Sequence, residues 1–224
     1  MNLDDKIFLN KGLYDNKTIY ENTIEAIKNT LKIHHGLYLT VRETKDKILI
    51  VFEDSNLSRL HNLKDKLTDI TYEELNYLSF YHIPTLEETL KVINGKQDIV
   101  LNLKMKYKNK ELFNLLDNYS GKFVLLSHSP KLIRFVNKEK SNYIIGEMIT
   151  KRKSFSIDSL FVKTNFKSYD INYYDVIKFK KMKENNNIEF GYLINTRDKY
   201  LEFKDMFNYL IIDNYNNLQI KKDD

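Results

Sequence analysis

A single α/β domain is the fold class this sequence predicts, on three observations. Short apolar, β-branched runs alternate with helical patterns along the chain. No long linker or break in composition interrupts that alternation. The length, 224 residues, suits one large domain with a substantial core. The strand patterns are compatible with a barrel of eight strands, and periodicity alone does not separate such a barrel from a doubly wound sheet.

Composition narrows the function classes. A hydrophobic content of 42% and an aromatic content of 13% are globular values. The formal net charge is only +5, from 36 basic and 31 acidic residues. Lys and Glu are interspersed and no nucleic-acid-binding motif is present, so the basic excess reads as a solvated surface. The lack of cysteine excludes disulfides and thiolate metal sites, and suits a reducing compartment. Acidic residues precede a short apolar run in MNLDDKIFLNKG, which is not a signal-peptide pattern. No apolar run approaches the roughly 20 residues of a membrane span. These features point to a soluble, cytoplasmic protein with the Asn, Lys, Ile and Tyr bias of an AT-rich bacterial genome.

Taken in order, Lys6 to Leu9 predicts a buried strand ended by Asn10-Lys11-Gly12. Tyr20-Glu21-Asn22-Thr23 predicts a helix start, with Ile24, Ile27 and Leu31 at helical spacing. His34 and His35 precede Gly36, the expected helix end. Leu37 to Val41 and Ile48 to Phe52 form two apolar runs joined by Thr44 to Lys47, too short a link for a crossover helix. A two-residue turn inside that link sets Tyr38 opposite Glu53 and Thr40 opposite Val51, with Tyr38, Thr40 and Glu53 on one face.

A polar segment of about residues 60–82 follows, with a capping box at Thr71 and Glu74; a second box joins Thr85 to Glu88. Further strands are expected at Asp98 to Leu103, Phe123 to Leu126, Tyr143 to Ile149, Ser159 to Val162, Ile188 to Asn195 and Leu210 to Asp213. Ser129 as N-cap with Pro130 in the first turn starts another helix, just after His128. A helix carrying Tyr174, Ile177, Lys178 and Lys181 leads to a turn at Asn185 to Asn187, and Lys221 to Asp224 should fray.

Several of these segments resemble the glycerophosphodiester phosphodiesterase family. Val41, Thr44-Lys45-Asp46, Ile50-Val51, Asp54, Leu57 and Arg59 keep the register of its G-A-D-x-I-E-L-D-V-x-x-T-K-D-G-x-x-V-V-x-H-D-x-x-L-x-R pattern. Tyr20-Glu21-Asn22-Thr23 is similar to its Pro-Glu-Asn-Thr, and Ile83 to Leu90 to its I-P-T-L-E-E-x-L. The resemblance spans roughly residues 6 to 214. It implies one domain over 1–224, a distorted TIM-type (β/α)8 barrel of phospholipase C-like phosphodiesterase architecture, with a short helical insertion at about 60–82. It also implies a place in lipid metabolism: hydrolysis of a glycerophosphodiester to glycerol 3-phosphate and an alcohol.

The residues that carry that chemistry are changed. In the family two histidines act as acid and base, and Glu, Asp and Glu hold Mg²⁺ or Ca²⁺. Asn10 and Glu53 stand at the histidine positions, and Tyr38, Thr40 and Asn102 at the metal-ligand positions. Lys11 replaces an arginine that contacts phosphate, without its bidentate fork. General acid-base groups contribute typically about 10²–10⁴-fold, and the cation several kcal/mol of charge stabilisation. Their combined loss predicts a member without metal-dependent hydrolysis and without a cofactor. Replacing the carboxylates also relieves their mutual repulsion, leaving Lys11 and Lys104 to balance Glu53 and Asp54.

Three readings of what remains stay open. A retained anion pocket would use Lys11, Lys104, Lys163 and Arg59, near the carboxyl ends of the strands where TIM-type barrels place ligands, to take a small phosphate-bearing ligand. An active phosphodiesterase would draw a relocated acid, base or cation ligand from Glu53, Asp54, His128 and Asp213. An interaction or scaffold protein would use the tyrosine-rich surface.

Overall fold

The computed structural model describes residues 1–105, 109–150, 162–173, 188–218 and 220. Among the described residues nine strands form one sheet: β1 (Ile7–Asn10), β2 (Gly36–Glu43), β3 (Leu49–Val51), β4 (Ile99–Leu103), β5 (Phe123–Ser127), β6 (Ile145–Ile149), β7 (Phe166–Asp170), β8 (Glu189–Ile194) and β9 (Tyr209–Ile212). β1 pairs in parallel with both β2 and β9, which closes the sheet on itself. β3 pairs antiparallel with the end of β2 and lies outside the ring, leaving eight parallel strands as the barrel.

Helices wrap the barrel because the strands are apolar on both faces. α1 (Ile24–Lys32) starts after β1; α2 (Ser58–His61), a 3₁₀ turn (Leu67–Asp69) and α3 (Tyr72–Leu78) make the insertion after β3. α4 (Leu86–Ile93), α5 (Glu111–Asp117), α6 (Pro130–Glu139), α7 (Arg197–Phe203) and α8 (Tyr215–Leu218) follow. Local chemistry fixes their starts: Thr23, Ser129 and Thr196 accept first-turn N–H groups, and Thr71 and Thr85 head full capping boxes. Outward strand residues such as Leu37, Leu39, Ile99, Leu101 and Leu125 pack with Ile27, Leu90, Leu112 and Ile133 of the helices.

The alternate residues point inward. Phe8, Phe166, Phe190 and Tyr209 stack at the amino end of the barrel, with ring centroids 4.7–6.1 Å apart. Val100, Val124, Leu126 and Met148 complete this apolar filling. Towards the carboxyl ends the inward residues turn polar: Asn10, Thr40, Asn102 and Ser168 are all buried. The insertion has its own small core of Phe52, Leu57, Leu67, Ile70, Leu75 and Ile83.

Several sequence expectations need correction. The hairpin pairs Val41 with Val51 and Arg42 with Ile50, one residue away from the expected register. Its loop has three residues, with Lys47 left-handed (φ 67°) and Thr44 N–H bonded to the Ile48 carbonyl; this shifts the whole register by one. The left-handed residue after α1 is His34 (φ 57°), not Gly36. Gly36 instead opens β2, where a Cβ would lie 2.5 Å from the Phe8 ring. Of the strand expected at Ser159 to Val162, residues 159–161 lie outside the described residues and Val162 is in no strand; the strand observed there is β7, Phe166–Asp170. Its alternating Lys167 and Ser168 hid it from a search for apolar runs. The helix and turn expected over 174–187 and the tail 221–224 also lie outside the described residues.

Two predictions follow from this packing. A Cβ on Gly146 would stand 2.3–2.5 Å from the Phe166 ring in the closed interior. Gly146→Ala should therefore cost about 1–3 kcal/mol of stability in a denaturant titration. His61 is buried among Phe52, Phe80 and Tyr81, and its Nδ1 accepts the Phe80 N–H at 3.2 Å, so the folded insertion requires the neutral ring. Burial lowers its pKa below the usual 6.5. Unfolding then takes up a proton, so the insertion's full stability is present above about pH 6.5 and falls as pH drops below it. Hydrogen exchange over residues 57–83 should accelerate between about pH 7 and 5 beyond the intrinsic trend, and His61→Phe should flatten that slope.

A candidate site at the carboxyl ends of the strands

Parallel closure brings the last inward residue of each strand to one mouth. β1 delivers Asn10 and then Lys11, which leaves the strand in a left-handed conformation (φ 67°). Its N–H donates to the Tyr38 carbonyl, 3.0 Å, and its carbonyl accepts from Asn22 N–H, 2.8 Å, so the loop folds back over the barrel. Lys11 Nζ sits 3.5 Å from Glu21 Oε2 and 3.5 Å from Asp213 Oδ2, and 5.3 Å from the centre of the Tyr14 ring. Tyr14 hydroxyl donates to Asp213 Oδ1, 2.7 Å; burial, with the Asp213 charge and this hydrogen bond, raises its pKa.

A second set of ion pairs adjoins the first. Arg59 grips Glu21 with both Nη groups, 2.9 and 2.5 Å, and reaches Asp54 Oδ2 through Nε, 2.8 Å. Glu21 is 1% exposed. Burial alone would raise its pKa, yet the Arg59 hydrogen bonds and the Lys11 charge outweigh that and hold it below the ordinary carboxylate value. The stacked rings of Tyr20 and Tyr81, 4.5 Å apart, tie this loop to the insertion.

The third set lies over β2 and β4. Glu53 Oε1 accepts from Lys104 Nζ and Oε2 from Thr40 Oγ1, each at 2.5 Å. Asn102 Nδ2 lies 3.5 Å from Thr40 Oγ1. Beneath, the Tyr38 ring is fully buried 5.5 Å from the Tyr192 ring, and burial raises the pKa of both phenols. Asn10 Oδ1, Tyr38 hydroxyl, Asn102 Oδ1 and Ser168 Oγ are buried and make no hydrogen bond among the described residues.

The sequence expectations sort cleanly on this geometry. Asn10, Tyr38, Thr40, Asn102, Glu53, Lys11, Lys104, Arg59, Asp54 and Asp213 gather at the mouth. His128 follows β5 at the same end, half-buried. Lys163 does not join them. It precedes β7, and Asn165 two residues on donates to the carbonyl of Ile145, the first residue of β6, so Lys163 lies exposed at the amino end. The expected balance of charges also differs: Lys104 meets Glu53, but Lys11 meets Glu21 and Asp213, and Asp54 belongs to Arg59. Sequence reasoning gave Glu21 only a helix-start role, and missed Tyr14 and Arg42. The Glu of the Tyr-Glu-Asn-Thr motif was the available signal, since helix capping needs the Thr but not the Glu.

The divalent cation that such a barrel would otherwise hold does not fit these residues. Hard cations take ionised oxygen ligands. Here the positions offer a phenol held protonated, a hydroxyl that donates to Glu53, and a neutral amide. The carboxylate bonded to Thr40, Glu53, already accepts from Lys104 as well. Among the described residues no group of three or more His, Asp or Glu is placed to hold a metal ion.

Glu21→Gln tests this construction. It leaves Arg59 and Lys11 facing a neutral amide, but Arg59 is partly exposed and rehydrates, so the loss should be about 1–3 kcal/mol. Because the folded pKa of Glu21 is depressed, its contribution is full above about pH 4.5 and disappears as pH falls below that; the variant should lose less stability on acidification than the parent.

The sequence pattern of the Glycerophosphoryl diester phosphodiesterase family matches residues 11–166. A glycerophosphodiester phosphodiesterase of Bacillus altitudinis is 36% identical over 112 residues, 45% of this chain and 45% of that protein. One from Caldanaerobacter subterraneus subsp. tengcongensis is 33% identical over 103 residues, 41% of this chain and 42% of that protein. The matched stretch thus spans less than half the length of these relatives. Among solved structures, the glycerophosphodiester phosphodiesterase of Thermotoga maritima superposes with a TM-score of 0.76 at 18% identity, covering 97% of this chain and 98% of that one. An Oleispira antarctica phosphodiesterase, in complex with the product sn-glycerol-3-phosphate, gives a TM-score of 0.80 at 16% identity, covering 97% and 96%. At such identities the structural likeness shows the fold alone.

Proposed function

The chain belongs to the glycerophosphoryl diester phosphodiesterase family, and we propose that it is a member that no longer carries out metal-dependent phosphodiester hydrolysis. The observation that carries this reading is the ion pairing of Glu53. The family's second histidine position holds a carboxylate whose two oxygens are bonded to Lys104 and Thr40, and the three metal-ligand positions hold neutral Tyr38, Thr40 and Asn102. A proton shuttle needs a group that titrates near the working pH within reach of the reacting oxygen. Asn10 does not titrate there, and both Glu53 carboxylate oxygens are already bonded, to Lys104 and Thr40.

The relocated-chemistry alternative finds its carboxylates already committed. Asp54 is bound by Arg59 and Asp213 by Lys11 and Tyr14, so neither is free to accept a proton or a cation without breaking an ion pair. The same pairing lowers the anion-binding capacity of Lys11 and Arg59, whose charges are neutralised within the protein. The barrel is kept for binding or assembly.

The test is hydrolysis of glycerophosphocholine by the full chain, with Mg²⁺ or Ca²⁺ and with a chelator. The expected result is product release no faster than the chelated control. Cation-dependent turnover abolished by Asn102→Ala would overturn the reading. A converse experiment restores the donors: Tyr38→Glu, Thr40→Asp and Asn102→Glu together should lower the melting temperature in chelator and recover it on adding Ca²⁺, because three uncompensated carboxylates then share one buried site.

A further inference from the structure

One rim cation differs from Lys11, Arg59 and Lys104. Arg42 is the inward residue after Thr40 near the end of β2, and among the described residues its guanidinium makes one hydrogen bond, from Nε to the Glu53 carbonyl at 2.9 Å. No carboxylate among the described residues forms an ion pair with it, and both Nη groups lack a hydrogen-bond partner there. Burial lowers its pKa against the more distant pull of Glu53 and Asp54, the mark of a guanidinium short of neutralising charge.

Arg42 lines a groove of about 210 Å³ between the barrel rim and the insertion, together with Ser55, Lys66, Thr68 and Lys104. Lys66 is exposed and in no ion pair among the described residues. Ser55 and Lys66 are held in place by the backbone: Asn56 bridges Lys66, and Leu67 N–H donates to the Ser55 carbonyl at 3.1 Å. Glu43 also lines the groove, and Glu53 faces Lys104 beside it, so basic groups exceed acidic ones there by one.

We propose that the groove between β2 and the insertion is an anion site for a phosphate monoester dianion, held by Arg42 and Lys66. The two Nη groups of Arg42 offer a planar fork to two oxygens of the anion. Lys66 supplies a second charge from the insertion side, and the Ser55 hydroxyl lies along the groove for a further oxygen, while the Thr68 hydroxyl donates to Asp69 Oδ1, 3.1 Å. A planar carboxylate would satisfy the fork but leave the other donors unused, whereas a tetrahedral anion presents oxygens in three directions. The groove adjoins the mouth through Lys104, which lines it and pairs with Glu53, whereas Lys11 and Arg59 face Glu21 and take no part in it.

Calorimetric titration of the full chain at low salt and about pH 8 tests this, with inorganic phosphate, sn-glycerol 3-phosphate and acetate as probes. The expected result is saturable one-to-one binding of the two phosphates, and acetate at least about tenfold weaker. Glycerol 3-phosphate binding more tightly than phosphate identifies an organic ester as the ligand, and equal affinity identifies phosphate itself. Arg42→Gln and Lys66→Glu should each weaken binding about tenfold or more, and Lys163→Glu, at the opposite end, should leave it unchanged. Lys66 is exposed, so its variant keeps the test valid should Arg42→Gln fold poorly. Absent phosphate binding, equal affinity for acetate, or affinity unmoved by Lys66→Glu would overturn the proposal. Hydrolysis of a diester in the same preparation bears on the preceding reading alone.

Discussion

A carboxylate drawn into the mouth of a closed barrel must meet a positive charge or take up a proton. That constraint organises the carboxyl end of this molecule. Glu21 meets Arg59 and Lys11, Asp213 meets Lys11, Asp54 meets Arg59, and Glu53 meets Lys104. Three cations of the chain itself are shared among these four carboxylates, so each carboxylate is paired without an added ion. The loop after β1 and the insertion after β3 are both locked to the barrel through these pairs, chiefly through Arg59, which bridges the two.

Below the mouth, the interior is layered by chemistry. Aromatic rings fill the amino end, aliphatic side chains the middle, and neutral polar groups the upper layer. Among the described residues, Asn10, Tyr38, Asn102 and Ser168 each leave an oxygen without a hydrogen bond there. A charged cluster in their place would need a counter-ion to be stable; a neutral one costs only its unmade hydrogen bonds, about 1–3 kcal/mol each. The neutral layer and the paired rim are therefore two halves of one electrostatic solution.

Much of this was legible in the residues, for reasons that differ by element. The Thr71 and Thr85 capping boxes and the Ser129-Pro130 start depend on contacts within a single turn, so local sequence fixes them. The strands with continuous apolar runs were visible because burial on both faces leaves no alternation to misread. β7 was not, since its exposed Lys167 and buried Ser168 break the run. The hairpin register failed by one residue because a left-handed Lys47 adds a third loop position that composition does not announce. At the site, the gathering of Asn10, Tyr38, Thr40, Glu53 and Asn102 followed from the family resemblance. Which cation pairs with which carboxylate did not, because that depends on how a loop and an insertion fold across the rim; Lys163 was misplaced through the same misread strand.

The central claim is that internal cations have replaced a bound divalent ion at this mouth. Equilibrium titration of the chelator-treated protein with Mn²⁺, followed by electron paramagnetic resonance, measures it directly. The account predicts no tight site: the signal of free Mn²⁺ should rise in step with added metal into the millimolar range. One Mn²⁺ held per chain at micromolar concentration, displaced by Mg²⁺ or Ca²⁺ and lost in Asn102→Ala, would contradict it.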